Sequence, residues 1–260
     1  MAGGLRQILD ALSIAQHSAR GKAVADAYEA GYKTLAHRVV GAKDDPLYLR
    51  INSNIGRHAD LSGGLQAKEL EKMMRNNGFE QPHTFTMLAR TRNPTFMLDG
   101  EVNDPPVMAN ALNDRQLAKE VNWAQFRYPD QMVELPLPMR DDGGSMLDPQ
   151  LPLFKVLNRR AAERSLARKG YDSVIYPNEL EGDMSGLQEI SSDLLASKRK
   201  REDFARSLLS TYDDPATRKW FNPAMTTIDP AGYRDVFGDM ILKGDFKTPG
   251  YCRGGLAQFR

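Results

Sequence analysis

The sequence predicts an α+β fold, in which runs with strand character and runs with helical periodicity are interleaved and no internal repeat organises them. Thr84-Phe-Thr-Met-Leu-Ala-Arg90 is the clearest strand by composition, closed by Asn93-Pro94. A second strand runs from Tyr171 to Tyr176 around Val174 and Ile175. Apolar residues spaced three and four apart mark helices on either side of both.

From the N-terminus, residues 5 to 30 read as a helix, with Leu5, Ile8, Leu9 and Leu12 on one stripe, Gly21 interrupting it and Gly31 as its stop. Its apolar stripe must bury against the body of the protein or against a partner. Leu47-Tyr-Leu-Arg-Ile51 alternates like a strand. Gln66 to Asn77 reads as a helix with Leu70, Met73 and Met74 inward. Asp99 to Gln150 is irregular, with a helix around Asp114 to Phe126, and reads as a long insertion or lid. Leu157 to Lys169 is a helix with a basic face. Leu187 to Ser191 is a candidate strand, followed by a helix through Leu194, Leu195, Phe204, Leu208 and Leu209. Lys198-Arg-Lys-Arg201 on that helix reads as a solvated face, with nucleic-acid contact as the sharper alternative. The last 45 or so residues, with Trp220, Phe221 and Asp229-Pro230, lack periodicity and read as a tail that wraps the domain or meets a partner.

Composition narrows the class. A hydrophobic share of 41% in 260 residues supports a core without a metal or disulfide staple. Cys252 is the single cysteine, so no intramolecular disulfide forms, which fits a reducing compartment. The net charge of +1 gives no chain-wide footprint for nucleic acid. No apolar run approaches a membrane span of about 20 residues, and Met1-Ala-Gly-Gly-Leu-Arg6 lacks the apolar stretch of a signal peptide. The expectation is a soluble, cytosolic protein. His58 and His83 have no partners at ligand spacing, so no metal site is expected. The glycine-rich phosphate loops of Rossmann and P-loop enzymes are absent from the sequence.

One segment carries more than structure: Arg164-Ser-Leu-Ala-Arg-Lys-Gly-Tyr-Asp-Ser-Val-Ile-Tyr-Pro-Asn-Glu-Leu-Glu-Gly182, a helix, a glycine, a strand and a loop with two glutamates. It resembles the ADP-ribosyltransferase-like domains of phage and prophage polyvalent proteins, which read "GYDGVVY", an asparagine, then a glutamate. Leu88-Ala-Arg-Thr-Arg-Asn-Pro-Thr-Phe-Met-Leu98 resembles that family's central strand, "LxARNPL". More weakly, Ala30-Gly-Tyr-Lys-Thr-Leu-Ala-His37 resembles its first strand, "GY…YHGT", and Pro46 to Ile55 resembles "GIYFTDDP".

The resemblance implies a split, mixed β-sheet with flanking helices, carried by residues 31–195 with an insertion at about 101–157. A helix at 1–30 precedes it, and a helix and tail at 196–260 follow. It also implies NAD as the substrate that donates ADP-ribose to a host protein or nucleic acid, with no metal and no membrane, in the bacterial host's cytoplasm. Breaking the nicotinamide–ribose bond gathers positive charge on the sugar, which a carboxylate beside it stabilises. Glu181 is then the catalytic candidate, with Glu179 and Glu189 as rivals. His37 would hold the adenine-side ribose, Tyr48 would stack on nicotinamide, and Arg38 and Asn178 belong to the same cofactor site.

The chain departs from the family pattern where the nucleotide should lie. Arg38-Val39 stands where relatives have Gly-Thr, Leu49-Arg50 replaces a small or polar pair, and the "SYIVFDP" strand is represented only by Gly186 to Ser191. These changes favour an alternative, a catalytically inactive scaffold serving as a structural or cargo protein of a phage virion. Each site residue also has a plain structural reading: Glu179, Glu181 and Asp183 as a solvated acidic turn, His37 as a histidine at the sheet edge, Tyr48 as core.

Overall fold

The computed structural model describes residues 19–40, 57–61, 65–76, 78–79, 81–134, 150–177, 190, 192–211, 223–229 and 232–234. Among them are nine strands, β1 (Tyr32–Val40), β2 (Arg57–Asp60), β3 (His83–Arg90), β4 (Pro94–Phe96), β5 (Met132–Glu134), β6 (Gln150–Pro152), β7 (Ser173–Pro177), β8 (Pro223–Thr227) and β9 (Tyr233–Arg234). The helices are α1 (Ala19–Glu29), α2 (Leu65–Asn76), α3 (Asp99–Asn103), α4 (Pro105–Ala111), α5 (Arg115–Arg127), α6 (Leu153–Arg168), α7 (Ser192–Ala196) and α8 (Lys198–Thr211). The fold is α+β around a mixed seven-stranded sheet ordered β4-β7-β8-β2-β1-β3-β9, with β5 and β6 as a separate pair. Only β4 and β7 run parallel; the other pairings are antiparallel.

Strand order and connectivity together force this sheet to bend. β3 and β4 are five places apart in the order, about 24 Å if the sheet were flat. Yet Arg90 and Pro94 are joined by three residues, a reach of at most about 14 Å. The sheet therefore curls until its two sides approach at this crossing. Leu88 to Leu98 is accordingly not one central strand. It is the end of β3, a tight crossing, and β4 on the far side.

The crossing is held by the Gly170-Tyr-Asp172 segment. The Asp172 carboxylate accepts the backbone N–H groups of Arg92 at 2.7 Å and Asn93 at 3.2 Å. The Asn93 amide donates to the Gly170 carbonyl at 2.8 Å. At the end of β8, the Ile228 N–H and the Thr227 hydroxyl both donate to the Asp172 carbonyl. Gly170 has φ +84° and sits just past α6, where Gly170 N–H bonds to the Ala167 carbonyl and Tyr171 N–H to that of Leu166. This left-handed stop satisfies the last carbonyls of the helix, and Leu166 and Tyr171 pack in one cluster as such stops favour.

Helices cover both faces. Ala59, Phe85, Met87, Phe96, Ile175 and Met225 point to one side, under Ala205 and Leu208 of α8. Val174, Tyr176 and Ala224 point to the other and pack on Met108, Leu117, Val121, Ala162 and Leu166. α1 covers the far end of that second face through Val24, Ala27, Tyr32 and Leu88.

Several expectations change. The stretch after Asp99, read as a lid, supplies α3, α4 and α5 and much of the second cluster through 134; the residues beyond, to 149, lie outside the described ones. Asp114 caps α5 by accepting the Gln116 and Leu117 N–H groups. Burial pushes its carboxyl up, but bonds from Ser165 and Leu117 and the charges of Arg168 and Lys169 outweigh this and hold it below the usual range. Met73, expected inward, is 42% exposed, because α2 meets the sheet through its buried N-terminal residues Gln66 and Ala67. The helix after residue 191 is two helices broken at Ser197, whose carbonyl accepts the Arg201 N–H.

Lys198, Arg199 and Lys200 are solvated as expected, whereas Arg201 is buried. Its guanidinium forks onto Glu101 at 2.6 and 2.9 Å and donates to the Phe96 and Leu195 carbonyls. The C-terminal region is no mere tail. β8 lies in the middle of the sheet, paired with β7 and β2, and its continuation Ile228-Asp-Pro230 carries the Asp-Pro ending sought at Gly186 to Ser191. The strand paired with β1 on that side is β2; Leu47 to Ile51 lies outside the described residues, as do residues 5–18 of the first helix, and of the candidate strand Leu187 to Ser191 the described residue, Ile190, is in no strand.

A side chain at position 170 must adopt a left-handed conformation that costs about 1–2 kcal/mol for non-glycine residues. Gly170→Ala is expected to lower the stability to urea by that amount, read as a fall in the midpoint at unchanged slope.

Candidate functional site

Alternation along β1 separates Ala36, in the cluster under α8, from His37 on the opposite face. The register then aligns Thr86, His37, Asp60, Ala224 and Tyr176 in one row across β3, β1, β2, β8 and β7. Three strand spacings, about 14 Å, separate His37 from Tyr176. His37 is thus inside the sheet, not at its edge.

His37 Nδ1 hydrogen-bonds the Thr86 hydroxyl at 3.2 Å, while its Nε2 is buried with no hydrogen-bond partner among the described residues. Burial depresses the His37 pKa; the nearby Asp60 charge opposes this and Lys68 adds to it. Asp60 accepts the Ala67 N–H at 3.1 Å and so anchors the start of α2. His58 lies beside this row. Its Nδ1 hydrogen-bonds the Tyr176 hydroxyl, and the two rings meet edge to face with centroids 5.5 Å apart. Arg38 points to the other face, where it is buried and its guanidinium donates to the His58 carbonyl at 2.8 Å.

A further cation belongs at this level of the fold. α6 and β7 form a hairpin about Gly170, so eleven residues of helix return about 16 Å, level with Ile175, five residues on from the same glycine and next to Tyr176. Arg159 is the residue at that height. Its Nη1 is buried without a hydrogen-bond partner among the described residues, and burial lowers its pKa to about 10. A desolvated guanidinium with an open donor suits an anionic oxygen.

The predicted site is therefore divided. His37 and Arg38 lie on adjacent positions of β1 but opposite faces. Tyr48, Asn178, Glu179, Glu181 and Glu189 lie outside the described residues; β7 ends at Pro177, next to Asn178. Tyr171, in the motif, is structural: burial and its bond to Glu202 push its phenol up to about 12, so it remains a donor. The sequence reading missed His58, Asp60 and Arg159. Arg57-His-Ala-Asp60 does alternate around buried Ala59, but four residues without a branched or aromatic apolar side chain make a weak strand signal. Among the described residues, no group of three or more potential ligands is placed to hold a metal, and no helix is long and apolar enough to cross a membrane.

Because the folded-state pKa of His37 lies below its unfolded value near 6.5, its contribution to stability is complete above that pH. It is lost as pH falls through the folded value. NMR titration is expected to place the His37 midpoint below 6.5, and Asp60→Asn, which removes the opposing charge, to lower it further.

No protein-family model, no curated protein and no solved structure matches this chain.

Proposed function

We propose that this chain is an ADP-ribosyltransferase-like protein that takes NAD over the row of His37, Asp60 and Tyr176 and donates ADP-ribose to a host macromolecule, with Glu181 as the catalytic carboxylate. The observation that carries the reading is the contact between two motif strings matched independently in sequence. Asn93 of the "ARNP"-like string bonds Gly170, and Asp172 of the "GYD" string holds Arg92 and Asn93. Two strings 80 residues apart that close one joint are a stronger sign of a shared fold than either alone. Ile228-Asp-Pro follows β8 in the sequence and β8 pairs with β7, which supports the reading because the resemblance calls for a strand that ends in Asp-Pro.

The residues present fit a dinucleotide in two respects. His37 Nε2 and Arg159 Nη1 are buried polar atoms with no partner among the described residues, suited to a ribose hydroxyl and a phosphate oxygen. Glu179 and Glu181 follow Pro177, the last residue of β7, by two and four positions in the sequence, and β7 carries Tyr176. NAD would supply the electrophilic ribose carbon. One of these carboxylates would steady the charge developing there and orient the acceptor. Incubation with labelled NAD and bacterial lysate is expected to label a macromolecule, and Glu181→Gln to slow labelling by about 100-fold or more. No transfer, together with no calorimetric binding of NAD at millimolar concentration, would sink this reading.

One observation favours a second reading, an inactive scaffold in a phage virion. Where relatives have glycine, Arg38 is buried and bound to the His58 carbonyl, so the close backbone approach that glycine permits is missing. Mass spectrometry of purified particles is expected to find the chain in structural amounts if this holds, and its absence there excludes the role.

A further inference from the structure

The outer surface of the α5–α6 pair has a chemistry of its own. α5 carries three basic residues against one acidic, and α6 adds Arg160, Arg164 and Arg168 against Glu163, with Lys155 and Arg159 on its far side, in a chain whose net charge is +1. The two acids are already engaged: Glu120 by Arg164 at 2.8 Å and Arg168 at 3.8 Å, and Glu163 by Arg160 at 3.8 Å. Lys119 and Arg127 have no acidic partner among the described residues.

Lys119, Trp123, Phe126 and Arg127 recur at helical spacing on one stripe of α5. Trp123 is 57% and Phe126 86% exposed, although the core side of the same helix, Leu117, Val121 and Ala124, is fully used. Trp123 also lines a groove of about 470 Å³ between the helices, with Lys119, Leu157 and Arg164. Tyr128 meets its ring edge to face at 5.6 Å and sets its angle.

We propose that this groove binds single-stranded nucleic acid, with Trp123 and Phe126 stacking on bases and Lys119, Arg127 and Arg164 meeting phosphates. Cationic side chains interleaved with exposed aromatic faces are what an unpaired strand recognises, because its bases offer free π-faces along a negative backbone. A duplex hides those faces. A membrane surface would require a continuous apolar helix side, which α5 has spent on the core. The inference stands apart from NAD binding, since it uses none of the residues of the row on the sheet.

The test is fluorescence anisotropy of labelled dT15 and U15 with the full chain, alongside vesicles of phosphatidylcholine with phosphatidylglycerol and a poly-glutamate peptide. Oligonucleotide binding is expected to weaken about tenfold or more in Trp123→Ala/Phe126→Ala. Lys119→Gln/Arg127→Gln is expected to flatten the log–log salt dependence by about 1.4, two phosphate contacts on a single strand. These side chains are surface groups, and circular dichroism melts verify that the variants fold. The proposal is overturned by no binding, by binding that the aromatic variant leaves unchanged, or by tighter binding to vesicles or poly-glutamate than to either oligonucleotide.

Discussion

The Asp172 carboxylate is the point on which the architecture turns. A chain that leaves β3 and enters β4 within three residues must bring two distant positions of a sheet together, and the backbone there has no ladder partner of its own. Asp172 accepts two of the stranded N–H groups, Asn93 returns a side-chain donor to Gly170, and the end of β8 closes on the Asp172 carbonyl. Four segments, the crossing, the end of α6, the start of β7 and the end of β8, meet in this one joint. Backbone N–H groups that leave the ladder need other acceptors, and this joint supplies them to Arg92 and Asn93 where the sheet curls.

The curl in turn decides where chemistry can lie. It leaves one face roofed by α8, with the Arg201–Glu101 pair tying that roof to the start of α3 and to the Phe96 carbonyl. That pair is desolvated but fully bonded, so it fixes geometry more than it adds net stability. The opposite face is covered by helices from two directions, α1 and α2 over β1 and β3, and α4 to α6 over β7. Polar side chains on β2 and β8 between those two covers need partners from side chains or ligands, and it is there that His58, Asp60, Thr226 and the hydroxyl of Tyr176 gather.

Legibility in the sequence followed local strength. α5 was placed to within a residue, because Asp114 is a strong N-cap ahead of a 3.6-residue apolar period. The turn of the α6–Gly170–β7 unit was plain, since a left-handed glycine stop and a β-branched strand are both local signals, but α6 starts at Leu153, four residues before the expected Leu157. β8 was missed. Pro-Ala-Met-Thr-Thr is too short and too polar to announce a central strand, and Thr226 and Thr227 are buried only because the sheet closes around them. Lys198 to Arg201 was half right: charge alone cannot say that the fourth residue of a basic run turns inward to meet Glu101, 100 residues away. The candidate site was least legible, since its row unites five strands whose pairing depends on the crossing at Arg92 and Asn93.

α6 connects these results. Its C-terminal stop positions Asp172, its inward side fills the core beneath β7, and its flank toward α5 forms one wall of the basic groove. Arg159 lies elsewhere on the helix, level with Ile175 and next to the height of Tyr176. Leu157, Ala161 and Arg164, which line the groove, fall within about 60° of one another on a helical projection, and Arg159 is roughly 140–160° away from each of them. A cation that meets the groove and the buried Arg159 guanidinium are therefore on different sides of a single rigid element. An anion at Arg159 and a nucleic-acid strand beside Trp123 would not compete for space, and a helix anchored at both ends by packing would hold the two at a fixed separation. That arrangement would give a transferase a defined geometry toward a nucleic-acid acceptor, and would give an inactive scaffold an independent binding face.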